Sequence, residues 1–258
     1  MSFFHRRHNR CMWAKRVGVI CAQAWCSLIL SSMDCTATTV IAITTADAAF
    51  IGVDACSAPR GEVCKLAVSK DMAVGISGHL ADTATQFNAL DIITQEIRHA
   101  GDFNSRVQAL MSALEPALKR SLTWGFENST TEYVSEYQGK LALGLLCAGI
   151  DKNGPQIVYI SWRTENGRIT RLDPSTFGRD KFDVIGTYDK FLEYLRKNPG
   201  WQKENPVKRI MKALEIETAA HPESVGPPFA VVRITKEKGV QWVSTGVCES
   251  AKSSNRAP

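Results

Sequence analysis

Residues 38–54 read TTVIAITTADAAFIGVD, and the fold follows from how this stretch is read. Thr39–Thr44 and Ala49–Asp54 are short apolar runs rich in β-branched residues, and Thr45–Asp47 between them is polar. Branched side chains are crowded in a helix and fit a pleated surface, so the stretch predicts a hairpin of two strands. A tight hairpin also returns Asp54, sixteen residues after Thr38, to the side of Thr38.

Working outward, Lys65–Ser69 and Met72–Ser77 read as a second strand pair around Lys70-Asp71. From His79 to about Ala100 the period becomes helical: Leu80, Phe87, Leu90, Ile93 and Ile97 share one face, and Gly101 stops the run. A second helix is expected over about Asn104–Trp124, with Pro116 as a kink or interruption. Strands return at Leu141–Ile150, Gln156–Arg163, Arg168–Leu172 and Phe182–Gly186, separated by the turn signals DKNGP at 151–155 and ENG at 165–167. Helices follow at Asp189–Lys197 and Pro206–Ala219, then a hairpin of Phe229–Thr235 and Val240–Val243. Such an order predicts an α+β fold, with two sheets face to face and helices outside them. The expectation is a four-layer αββα sandwich rather than a doubly wound parallel sheet. It is read as one domain over 38–248, between a leader at 1–37 and a polar tail at 249–258.

The first 37 residues are basic, then apolar, then small. Arg6 to Arg16 form the basic part, VGVICAQAWCSLIL at 17–30 the apolar run, and Cys35 and Ala37 the small residues preceding Thr38. This is the layout of a secretory signal peptide cut before Thr38, and it predicts a secreted or periplasmic protein. An uncut leader would be a membrane anchor, and a start at Met33 would make the chain cytoplasmic. The net charge of +5 is mostly leader: the rest of the chain holds 26 basic and 25 acidic groups. A nearly neutral body offers no footprint for nucleic acid. Apolar residues at 44% and charged residues at 22% exclude wholesale disorder.

Four cysteines remain after the leader: Cys56, Cys64, Cys147 and Cys248. Cys56 and Cys64 flank a Pro/Gly turn, so a short-range bridge and buried free thiols are both open readings. The histidines are scattered and no C-x-x-C occurs, so no metal ligand set and no cofactor is expected. Neither G-x-G-x-x-G nor a P-loop is present.

The chemistry expected of Thr38 follows from its place. As a chain terminus it would hold its Oγ beside its own α-amine, whose pKa of about 7.7–8.0 suits a general base. Such a site wants a cation, a carboxylate to hold that cation, and backbone N–H donors for a developing oxyanion. Lys65, Asp54 and Gly75 are the candidates, with Ser77 and His79 as substrate contacts.

Thr38-Thr39-Val-Ile-Ala-Ile, Phe50-Ile-Gly-Val-Asp54, Cys64-Lys65-Leu66 and Met72-Ala-Val-Gly75-Ile-Ser-Gly78-His-Leu-Ala-Asp82 together resemble a family. The chain is similar to the proteasome β-type peptidases of the N-terminal nucleophile (Ntn) hydrolase superfamily. It also resembles secreted bacterial proteasome-like proteins, through Val225-Gly226-Pro227-Pro228 and Gln241-Trp242. The resemblance implies Thr38 as nucleophile and its amine as base, Asp54 and Lys65 as the charge pair beneath it, and the Gly75 N–H as oxyanion donor. Gly186-Thr187-Tyr188 stands where the family has Gly-Ser-Gly, so Thr187 would supply the hydroxyl. His221-Pro-Glu-Ser224 stands where it has Asp-x-x-Ser, leaving His221, Glu223 and Ser224 as candidates to support the site from behind, without the aspartate. The turn between Asp54 and Lys65 is shorter than in proteasomes, which alters the pocket for the substrate side chain.

Two functions are therefore carried forward. The first is an exported threonine hydrolase that cleaves peptide or amide bonds; the second is a non-catalytic binding or scaffold protein of the same fold. A homo-oligomer is compatible with either.

Overall fold

The computed structural model describes residues 38–57, 61–165 and 168–248, which fall within one compact unit. The expected leader and the whole polar tail lie outside the described residues. The fold is mixed α+β. Among the described residues, strands β1 (Thr39–Thr44), β2 (Ala48–Val53), β3 (Cys56–Ser57), β4 (Gly61–Glu62), β5 (Leu66–Val68), β6 (Met72–Gly78), β7 (Ala81–Asp82) and β8 (Phe87–Asn88) come first. Helices α1 (Ala89–Glu96), α2 (Phe103–Asn128) and α3 (Thr130–Tyr137) follow. Then come β9 (Leu141–Asp151), β10 (Gly154–Glu165), β11 (Arg168–Arg171), β12 (Ser175–Phe177) and β13 (Phe182–Gly186). Helix α4 (Asp189–Lys197), a 3₁₀ turn at Pro199–Lys203, α5 (Pro206–Ala220), β14 (Ala230–Thr235) and β15 (Gly239–Ser244) close the chain.

The strands form two main antiparallel sheets. One has the order β13-β1-β2-β14-β15; the other runs β11-β10-β9-β6-β5, with β12 also on β10. The predicted first hairpin is present, with Val40 opposite Val53 and Thr44 opposite Ala49. Successive β1 side chains enter different clusters: Val40 and Ala42 join residues of both sheets, such as Leu66, Ala73 and Leu146, while Ile41 and Ile43 pack with Phe191, Ile210 and Leu214 of α4 and α5. The strand is thus buried on both faces, which is why its sequence is apolar without alternation. On β6, Val74 and Ile76 turn instead toward Ile93 of α1 and Leu110, Leu114 and Leu118 of α2. Gly52 lets α5 rest directly on β2, since a Cβ there would collide with Cγ2 of Ile210.

The chain departs from expectation between His79 and Asn88. The anticipated single helix begins only at Ala89, after the small hairpin β7–β8. The cause is local: the Asp82 carboxylate accepts from the Ala84 N–H at 2.9 Å and the Thr85 hydroxyl at 2.6 Å. Side-chain bonds of this kind satisfy the backbone in a turn and compete with a helix. Asn88 then caps α1 by accepting from the Asp91 N–H. Pro116 lies inside an α2 assigned as one helix, and α3 and the 3₁₀ turn were not anticipated. No helix among the described residues is long and apolar enough to cross a membrane.

Candidate active site

The hairpin does for Asp54 what its length predicts. The Asp54 N–H donates to the Thr39 carbonyl, and its Oδ1 accepts from the Thr39 N–H at 2.8 Å. Its other oxygen meets Lys65 Nζ at 3.1 Å, and both side chains are fully buried. Lys65 immediately precedes β5 in the other sheet, and its carbonyl accepts from the Ile76 N–H. The pair therefore links the two sheets at the end of the core between them. Burial pushes the Asp54 carboxyl above its ordinary value, while the Lys65 ammonium and the Thr39 and Gly226 N–H groups pull it back down.

The peptide unit joining Thr38 to Thr39 is held on both sides. Its N–H is the donor to Asp54, and its carbonyl, that of Thr38, accepts from the Thr187 N–H at 2.8 Å. The Thr39 hydroxyl adds a bond to the Thr187 carbonyl at 2.6 Å. Gly186, at φ +90°, pairs with Thr39 across β1 and β13. A Cβ at Gly186 would overlap the Thr38 carbonyl and stand 2.8 Å from Ser77 Oγ, so these three residues are packed together. The Thr38 and Ser77 hydroxyls are both buried without a hydrogen-bond partner. Buried hydroxyls are usually satisfied, and these two lie on either side of Gly186.

Thr38, Asp54, Lys65 and Thr187 are thus joined through Thr39 in one network of contacts, with Ser77 close to Gly186. The anticipated role of the Thr187 hydroxyl is not what joins it; its main chain makes the contacts. Gly75 lies inside β6, which runs one residue past the expected Met72–Ser77. Gly75 is paired with Leu66 on one side and Leu146 on the other. Because the Ile76 N–H points to Lys65, that of Gly75 is turned toward β9, into the ladder. Its missing side chain serves packing, since a Cβ there would collide with Val40 of β1.

His79 belongs to another network, under α2 and α3. The Ser121 hydroxyl donates to Asp82 at 2.9 Å, so toward His79 Nε2, 2.8 Å away, its oxygen accepts. That leaves Nδ1 facing the Tyr137 hydroxyl at 3.1 Å. The ring also stacks on Phe87. His221 caps the end of α5 and faces Asp189 at 3.0 Å. Ser224 closes the following turn onto the His221 carbonyl, and Glu223 is exposed. This turn still reaches the site, because the Gly226 carbonyl accepts from the Ala55 N–H.

The cysteines pair in a way that spacing did not show. Cys64 is bonded to Cys248, with Cα atoms 5.1 Å apart, so the short-range Cys56–Cys64 bridge is excluded. Cys147 is a buried free thiol, and burial raises its pKa far above the ordinary range. The bridge adjoins Lys65 and ties the chain's last described residue to the approach of β5. Reading along the chain also missed a group of three potential ligands, Asp189, Glu217 and His221. The one sequence signal was Glu217 placed four residues before His221, a spacing that puts both on one helix face.

No protein-family model matches the sequence, and no curated protein matches it significantly. The site is therefore interpreted from its own geometry.

Proposed function

We propose that the domain is a four-layer αββα sandwich of the Ntn type, and that it acts as an exported threonine hydrolase on peptide or amide bonds. Three core clusters support the layering: one between the sheets, one under α1 and α2, one under α4 and α5. The observation that carries the function is the clamped Thr38–Thr39 peptide: Thr38 has an unpartnered buried hydroxyl, and the Thr39 N–H is held by Asp54 of the buried Asp54–Lys65 pair.

Removal of the leader before Thr38 supplies the free amine. That amine accepts the Oγ proton as Oγ attacks the scissile carbonyl, forming the new C–O bond. It then returns the proton to the leaving nitrogen as the C–N bond breaks, and an acyl ester remains on Thr38. Water, deprotonated by the same amine, releases the acid and regenerates the hydroxyl. Lys65 favours the neutral amine and the developing negative charge, and Asp54 holds Lys65 in place. The Cys64–Cys248 disulfide supports an oxidising, extracytoplasmic compartment.

The second reading is a non-catalytic binding protein of the same fold. It is favoured by Gly75, whose N–H lies in the ladder and is not free to face an oxyanion. The deciding experiment is N-terminal sequencing with intact mass of the protein from its native compartment, followed by assay on a panel of peptide amides. A terminus at Thr38, with hydrolysis abolished by Thr38→Ala and partly kept by Thr38→Ser, is the expected result. An internal Thr38 in an otherwise native protein leaves only the binding reading.

A further inference from the structure

Helix α4 begins without help from its own N-cap, since Tyr188 makes no side-chain cap hydrogen bond. The first turn is served instead by Glu217 of α5, whose Oε1 accepts from the Phe191 N–H at 2.5 Å. The other oxygen, Oε2, is buried and accepts no hydrogen bond, and the residue has no exposed surface at all. A carboxylate oxygen removed from water with nothing to replace it is costly. That oxygen lies 3.7 Å from Nε2 of His221, which in turn lies 3.0 Å from Oδ1 of Asp189. The three ligand atoms all lie within 4.8 Å of one another.

We propose that Asp189, Glu217 and His221 form a site for a divalent cation of the zinc type, which clasps the start of α4 to the end of α5. Bonds of about 2.0–2.2 Å in a tetrahedron set ligand atoms roughly 3.3–3.6 Å apart. The two separations from His221 Nε2, 3.0 and 3.7 Å, bracket that spacing, and the carboxylate pair, within 4.8 Å, closes to it by side-chain movement of the exposed Asp189. One imidazole and two carboxylates suit zinc, cobalt or nickel better than the all-oxygen preference of calcium and magnesium. The Phe191 N–H holds Glu217 from behind, as outer hydrogen bonds do for metal ligands. Asp189 is 60% exposed and His221 30%, which gives the ion a path from solvent and leaves room for a water ligand. Lys190 is the nearby opposing charge; it sits 3.9 Å from the other oxygen of Asp189, Oδ2, and is itself half exposed. The proposal does not depend on the hydrolase reading.

The test is calorimetric titration of the untagged, chelator-treated full protein with zinc chloride, alongside the d–d absorption of cobalt(II). One ion per chain should bind with micromolar affinity. His221→Gln and Asp189→Asn, both at partly exposed positions, should each weaken it about tenfold or more. Glu217→Gln should do the same, with circular dichroism to verify that α4 still forms. His99→Gln, an exposed histidine at the end of α1, should change nothing. Absence of binding, or binding that His221→Gln and Asp189→Asn leave within about twofold, would overturn the site. Calcium binding as tightly as zinc would overturn the zinc-type assignment.

Discussion

At the scale of single residues, the Asp54–Lys65 pair has the largest consequences. Two fully buried opposite charges hold each other in place, and removing one leaves the other uncompensated. Asp54→Ala or Lys65→Ala alone should cost about 3–5 kcal/mol in urea unfolding. The double variant Asp54→Leu/Lys65→Met should recover most of that stability while losing any hydrolysis, which separates the pair's structural role from its chemical one. Gly186 is the second sensitive position. Its φ of +90° and its contact with the Thr38 carbonyl leave no place for a methyl group. Gly186→Ala should cost about 1–3 kcal/mol in the same measurement, and it should impair turnover by shifting the clamped peptide. Both residues could be noticed in the sequence, but only Asp54 could be given a partner there. The glycine's collision depends on β13 arriving beside Thr38, and nothing in Gly186-Thr187-Tyr188 states that.

At the scale of elements, the β7–β8 turn is organised by Asp82. Burial pushes its carboxyl up, but the Thr85 hydroxyl, the Ala84 N–H, the Ser121 hydroxyl and nearby His79 outweigh that and hold it below its ordinary value. A depressed carboxyl stabilises the fold above its unfolded pKa of about 3.9, and that contribution is lost as pH falls through the folded value. Asp82→Asn should therefore destabilise by about 1 kcal/mol at neutral pH. The gap to the wild type should narrow as pH falls below the unfolded value of about 3.9, measured by urea unfolding at a series of pH values. This element is also where reading along the chain failed. The helical spacing of Leu80 and Phe87 with the later apolar residues was real, and the side-chain bonds of Asp82 overrode it. Elsewhere the elements were legible: β13 and α4 fall on their expected boundaries, and the hairpins around residues 45–47 and 70–71 are present. Their apolar spacing matches one period and polar turn residues bound them.

At the scale of the whole molecule, the Cys64–Cys248 bridge closes most of the domain into one loop, with the cysteines 184 residues apart. A loop of that length removes much of the unfolded chain's freedom, worth about 5 kcal/mol in the chain-entropy account. Reduction, or Cys64→Ala with Cys248→Ala, should lower Tm by roughly 10 °C. The same treatment should disturb activity, because Lys65 follows Cys64 directly. A differential scanning measurement with and without reductant, paired with the peptide-amide assay, checks both.

The sequence by itself determined most of the local structure, the α+β class and the return of Asp54 to the start of β1, opposite Thr39. These depend on periodicity, turn chemistry and a hairpin of fixed length, all written within short stretches. The Asp54–Lys65 pair was an expectation from the resemblance; only the tertiary structure decided that it spans the two sheets and that Thr187 clamps Thr38 through its main chain. It also paired Cys64 with Cys248 and set Glu217 and His221 against Asp189. Each of these contacts joins distant segments whose meeting depends on how the sheets and helices pack, and packing has no signature in the spacing of residues along one strand or helix.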